Sequence, residues 1–330
     1  RKFGPHNAVE AAGAGGPGRA GAPAAGDDWA VNRRQPSTEL RTVGRDGHRQ
    51  AYRDLGPVDG PVILLVHGLI SDGSTWTRPA TGLAEAGFRV IVPDLLGHGG
   101  SDKPADGDYH LPYFADSLFR LLTVLGASSV TVVGHSLGGA IAMQLAHDHP
   151  ELVDRLVLVS AGGLGRQVHP MLRVASLPGA HRVLRLVVNE RTAALYRAPR
   201  LHRSLRLSPE AVANLSRAGR GLVSATGRSA FFLTLRNAIT PSGQRGSMME
   251  HGYLPRELPT LIVWSRDDPV LPVQHAYQTH AYLPNSQLVV LPGSTHQPHH
   301  HSADRFVEAV AGFVTETPAA TSPRTSAAPR

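Results

Sequence analysis

The sequence predicts an α/β protein: a doubly wound, mostly parallel sheet carrying an inserted helical cap. Three observations lead there. Short apolar runs alternate with helical stretches between Pro61 and Val159. The runs, such as Val62-Ile63-Leu64-Leu65-Val66, are apolar on both faces, as strands of a helix-covered parallel sheet must be. The alternation stops near Gly165 and resumes at Pro259, so the intervening helical stretch reads as an insertion into one sheet.

The elements follow in order. Glu39 to Asp54 alternates around Arg45-Asp46-Gly47 and predicts an antiparallel hairpin. Pro61 to Val66 is the first buried strand, ended by His67-Gly68. Arg78 to Ala86 is a helix stopped by Gly87, and Arg89 to Val92 a strand closed by Pro93-Asp94. Pro112 to Leu125 has helical spacing at Phe114, Leu118, Leu121, Leu122 and Leu125, with Gly126 as its stop. Ser129 to Val133 is a strand, Leu137 to His147 a helix and Arg155 to Val159 a strand. Gly165 to Glu250 is helical in character with no clear buried strand. After it come a strand at Pro259 to Trp264, a helix at Gln274 to Tyr282, a strand at Gln287 to Leu291 and a helix at Ala303 to Val314.

The expected organisation is a disordered tail at 1–35, a core at 36–164, the cap at 165–250, the rest of the core at 251–315 and a second tail at 316–330. Both tails are rich in Ala, Pro and other small residues, a composition that buries little apolar surface. The first also lacks the apolar stretch of a signal peptide. A cytoplasmic location is the expectation. The chain has no cysteine, which excludes disulfides, thiolate catalysis and Cys-ligated metals.

Net charge is +7, almost all of it from Arg. Nucleic acid is not an expected partner, because no RNP-like motif, zinc-finger spacing or basic block accompanies the charge. Between Arg166 and Arg245 there are 14 Arg against two Glu. That excess suits an anionic substrate, an acidic carrier or peripheral contact with a membrane surface; the plainer reading is a solvated helical face.

Gly134-His135-Ser136-Leu137-Gly138 matches G-x-S-x-G between a strand and a helix, the context that gives the match its weight. A serine on such a turn projects its hydroxyl away from the sheet, and Gly134 and Gly138 leave room for the crowded backbone. Serine needs a base within hydrogen-bond reach and a group to orient that base. The acid candidates are Asp267 and Asp268, directly after the Pro259–Trp264 strand, with Asp268 preferred. The base candidate is His296, after the last strand. His135 is set aside, because a residue beside the nucleophile on so tight a turn points elsewhere.

His299, His300 and His301 crowd His296, but the run reads as a loop with solvent-facing side chains and has no H-E-x-x-H spacing. No metal is expected. Oxyanion donors are expected at the Leu137 N–H, after the nucleophile, and at the Leu69 N–H. His67 and Gly68 keep the second of these turns near the site.

These residues resemble the α/β-hydrolase superfamily over roughly Glu39 to Val314. His67-Gly68, Trp76, the Asp94–Asp102 loop (D-x-x-G-x-G-x-S), the elbow, the Asp268 loop and His296 stand in that family's order. The family's acid loop usually begins Gly-x-x-Asp; Ser265 replaces that Gly, and counting three onward gives Asp268. Thr295 stands where a Gly often precedes the histidine. The resemblance implies a serine hydrolase working by acyl transfer, with no cofactor, on a small-molecule substrate. Ser136 argues against the members that use an Asp nucleophile. Gly162-Gly163-Leu164-Gly165 resembles the carbon–carbon bond hydrolases of ring-cleavage pathways. Those usually carry a Trp after the histidine, here Gln297, and a Gly-rich oxyanion loop, here Leu69-Ile70. Carboxylic ester hydrolysis is therefore expected first, carbon–carbon hydrolysis second, and a hydrolase-like protein that binds without turnover third.

Overall fold

Strand polarity and register bring the ends of distant segments together. β1 (Ser37–Arg45) and β2 (His48–Leu55) form the predicted hairpin, with Arg45 opposite His48 and Gly47 at φ 81° in the turn. β3 (Val62–Val66), β4 (Arg89–Pro93), β5 (Val130–His135) and β6 (Val153–Val159) follow. They are interleaved with α1 (Thr77–Glu85), α2 (Leu111–Val124) and α3 (Leu137–Asp148). The computed structural model describes residues 37–45, 47–187, 222–246, 256–293 and 295–320. The expected tail at 1–35, most of that at 316–330 and the centre of the cap, including Arg191, lie outside them.

After β6 come cap helices α4 (Pro170–Ala175), α5 (Ala180–Val187) and α6 (Ala225–Ala238). A small hairpin, β7 (Ile239–Thr240) with β8 (Gly243–Gln244), ends this part. It adds to the expected helical cap a detail the sequence did not show, because two-residue strands leave no periodicity to read. The core resumes with β9 (Thr260–Ser265), α7 (Gln274–Tyr282), β10 (Ser286–Leu291), α8 (Pro298–His301) and α9 (Ala303–Glu316).

The eight-stranded sheet has the order β1-β2-β4-β3-β5-β6-β9-β10, and β3 to β6, β9 and β10 pair in parallel. Alternation sends each strand's side chains to two cores. Leu64, Val66, Val130 and Val132 pack with α2 and α3, whereas Ile63, Leu65 and Val133 pack beneath α1 and α9. Each such buried aliphatic contributes about 1.5–3 kcal/mol. The inner strands β3, β5 and β9 therefore have almost no solvated face, which is why they read as apolar runs, whereas the edge strand β10 exposes Gln287.

Register then places the site. Val66 pairs with Gly134, His135 with Val159, Val159 with Val263, and Leu291 with Ser265. The carboxyl ends of β3, β5, β9 and β10 thus stand in one row. Strand order reverses at β3, between β4 and β5, where open parallel sheets leave a crevice above the strand ends.

Candidate active site

Ser136 sits between β5 and α3 with φ 55° and ψ −119°, a conformation that costs a non-glycine residue about 1–3 kcal/mol. Tight packing imposes it. A Cβ on Gly134 would lie 2.2 Å from the Gly138 carbonyl oxygen, and one on Gly138 would lie 2.4 Å from that of Val66. Both obstacles are backbone, which cannot swing away. The Ser136 N–H donates to the Val159 carbonyl at 3.1 Å and its own carbonyl accepts from Gly139 and Gly162, so the turn is fixed on three sides.

The His296 Nε2 lies 3.0 Å from the Ser136 Oγ. Its Nδ1 lies 2.9 Å from Oδ2 and 3.1 Å from Oδ1 of Asp268. The Asp268 side chain is wholly buried. Its Oδ1 also accepts the Val270 N–H at 2.8 Å and the Leu271 N–H at 3.0 Å. Burial alone would raise the carboxyl, but the His296 contact and the two N–H groups outweigh it and hold Asp268 below the ordinary carboxylate range. Asp267 is exposed, and its N–H donates to Gly293 O at 3.2 Å. The two neighbouring carboxylates thus occupy opposite environments.

Ser136, His296, Leu69, Leu137 and Gly68 line one cavity of about 520 Å³. Its walls are largely apolar, from Leu111, Val168, Leu172, Ile239, Val270 and Leu271, with Asn237, Gln244, Arg245 and Gln297 among the polar residues. A Cβ on Gly68 would lie 3.1 Å from the Ser136 Cβ, so the His67-Gly68 turn is drawn against the Ser136 turn.

The histidine run departs from expectation. Pro298–His301 is a short helix, and His299 is buried rather than solvent-facing, with its ring 4.0 Å from that of Trp76. Proline starts this helix, and His299 within it is buried. Among the described residues no group of His, Asp and Glu is arranged to hold a metal.

Two site features were missed in the sequence. The His135 Nε2 donates to the His296 carbonyl at 2.7 Å and so steadies the loop that carries His296. Burial, with His296 beside it, pushes this ring down to about 3. Gln244, from the cap hairpin, accepts the Gly163 N–H at 2.8 Å and donates to the Gly165 carbonyl at 2.5 Å, latching cap to core. The one mark this contact leaves in the sequence is glycine: a Cβ on Gly162 would lie 3.2 Å from the Gln244 Oε1.

A family model described as alpha/beta hydrolase fold matches residues 61–302. The chain belongs to this family. As a member it is an α/β-fold hydrolase. It is 40% identical over 295 residues to an uncharacterized protein of Mycobacterium tuberculosis, covering 86% of this chain and 82% of that one. It is 30% identical over 305 residues to 2-hydroxymuconate semialdehyde hydrolase of Pseudomonas putida, covering 88% and 99%. A meta-cleavage product hydrolase from Pseudomonas fluorescens superposes with a TM-score of 0.64 at 24% identity, covering 84% and 97%. At that identity the likeness concerns the fold. Among the described residues, no helix is long and apolar enough to cross a membrane.

Proposed function

We propose that this hydrolase works by acyl transfer, with Ser136 as nucleophile, His296 as general base and Asp268 orienting the base. The observation that carries this is the continuous hydrogen-bonded run from Asp268 through His296 to Ser136 at the wall of one cavity. The Ser136 Oγ attacks a carbonyl carbon as its proton passes to His296 Nε2. The N–H groups of Leu69 and Leu137 receive the oxyanion, the latter at the positive end of α3. Collapse expels the leaving group, which takes the proton from His296. Water, deprotonated by His296, then releases the acid from Ser136.

For the bond broken, we favour a carbon–carbon bond beside a ketone, reversing the order expected from sequence. The support is the 30% identity to a 2-hydroxymuconate semialdehyde hydrolase over nearly all of that enzyme's length. A carbon leaving group departs only if its electron pair is delocalised, so the substrate must be a conjugated or vinylogous ketone. Carboxylic ester hydrolysis is the second reading, favoured by the apolar cavity wall and by Leu69-Ile70 in the oxyanion loop. Arg245 on the cavity wall, its Nε bonded to Arg236 O at 2.8 Å, supports an anionic group on the substrate.

The test sets para-nitrophenyl esters of increasing chain length beside a vinylogous 1,5-diketone. The diketone should give the higher kcat/KM, and Ser136→Ala should lose both activities with its fold intact. Ester turnover above that of the diketone restores the first ordering. An Ala variant keeping more than about a tenth of kcat removes Ser136 as nucleophile.

A further inference from the structure

The turn that carries Leu69 has open space on both sides. Leu69, Ile70 and Ser71 line the catalytic cavity and also a second one, of about 550 Å³, bounded by Arg53, Asp94, His98 and Lys103. Packing alone cannot fix a peptide between two cavities, so hydrogen bonds must. Two buried histidines supply them.

The tautomer of His67 follows from its partners. Its Nε2 receives the Leu95 N–H at 3.0 Å, and a backbone N–H can only donate. The ring proton is therefore on Nδ1, which donates to the Gly68 carbonyl at 2.8 Å. In a trans peptide the C=O and N–H point in opposite directions. Anchoring the Gly68 oxygen on His67 turns the Leu69 N–H the other way.

The next peptide is held by His98. Its Nε2 lies 2.8 Å from the Leu69 carbonyl and its Nδ1 3.2 Å from that of Leu96. Burial, with His67 and Lys103 nearby, pushes the ring down to about 4, so at neutral pH it has one N–H for two carbonyls. The shorter contact, to Leu69, takes it. The His98 loop is itself tied to the oxyanion loop: Asp94 accepts the Gly73 and Gly100 N–H groups, each at 2.7 Å. His98 lines the second cavity and not the first, so it acts on the reaction through Leu69.

We propose that His98 is a positioning residue: with His67, it fixes the direction of the Leu69 N–H by clamping the peptide groups on either side of Leu69. This rests on Leu69 as an oxyanion donor, and so on the acyl-transfer reading above.

Labelling of Ser136 by an alkyl fluorophosphonate tests it, because the P=O oxygen of the probe must enter the oxyanion hole whatever the natural substrate. The variants are His98→Gln, His98→Asn and His98→Leu, each with kcat and KM on para-nitrophenyl butyrate and a melting temperature. Glutamine puts an amide N–H where Nε2–H was; asparagine puts it at the Nδ1 position. The expected result is labelling and kcat slowed about 10- to 100-fold in Leu and Asn, part of the ~10²–10³ for losing a donor outright, with KM within about threefold. Glutamine should recover to within about threefold of wild type. If Gln is as slow as Asn, or Leu is labelled at the wild-type rate, the proposal is overturned. Should the Leu variant not fold, the Gln–Asn comparison decides. Ser136→Ala separates the two readings. Persistent activity there overturns acyl transfer itself, whereas a silent Ala variant with equal Gln and Asn rates overturns only the clamp.

Discussion

Replacing Asp268 by Asn changes one atom of the carboxyl, and the structure dictates which way the amide must face. Oδ1 accepts the N–H groups of Val270 and Leu271 at 2.8 and 3.0 Å. Those groups can only donate, so the Asn oxygen must stay there and its NH₂ must face His296. The NH₂ is itself a donor and forces His296 Nδ1 to accept, which puts the ring proton on Nε2, 3.0 Å from the Ser136 Oγ. His296 then presents a proton to Ser136 where the proposed mechanism needs a lone pair. Restoring the productive tautomer means turning two donors on each other in a buried site. The loss expected from a wrong-tautomer triad is ~10³–10⁴ in kcat, about 4–5.5 kcal/mol at about 1.4 kcal/mol per decade. KM should move little, since the cavity walls are untouched. Steady-state kinetics of Asp268→Asn against Asp267→Asn measures it, and the exposed Asp267 should cost less than about threefold. Equal losses at the two positions, or a loss under about tenfold at Asp268, would refute the tautomer argument.

Further outcomes follow from the same geometry. Gly138→Ala must push α3 away from the Val66 carbonyl, 2.4 Å from the new Cβ, so urea unfolding should show a loss of about 1–3 kcal/mol. The variant's kcat should fall too, because Leu137 retreats with the helix; unchanged stability would show that the contact relaxes freely. The buried rings of His98 and His135, pushed down to about 4 and about 3, stay neutral where the unfolded chain, near 6.5, takes up protons. Folding stability should therefore fall as pH drops from about 6.5 toward 4, by about 2 kcal/mol per ring at pH 5. Urea titrations at pH 7, 6 and 5 measure this, and a flat profile would mean the rings are charged in the fold. Finally, kcat/KM for a carboxylate-bearing substrate should fall with rising NaCl while a neutral analogue of equal size is nearly unaffected. Arg245→Gln should narrow that gap, and equal salt dependence of the two substrates in the unmodified protein would remove the basic cap from substrate choice.

The sheet and the turn at Ser136 were legible in the sequence because their causes are local. Strands buried on both faces have to be apolar throughout, as at Val62 to Val66, and the helices between them have to repeat at helical spacing, as from Phe114 to Leu125. The turn at Ser136 demands glycine at 134 and 138, since no Cβ fits against the neighbouring backbone. Residues far apart in the chain posed a different problem. The sequence offered Asp267 and Asp268 side by side, and only the fold puts one in solvent and the other beneath His296 with two N–H groups on its oxygen. Position after the last strand singled out His296, but the places of the other histidines could not be read from spacing. His299 goes inward against Trp76, 223 positions earlier, and His135 finds the carbonyl of His296, a contact between β5 and the loop after β10. The clamp of His67 and His98 on Leu69 belongs with these. Hydrophobic periodicity records which face a residue buries, but a buried polar ring takes its role from whichever carbonyl the tertiary structure brings within 3 Å, and that carbonyl leaves no mark on composition or spacing.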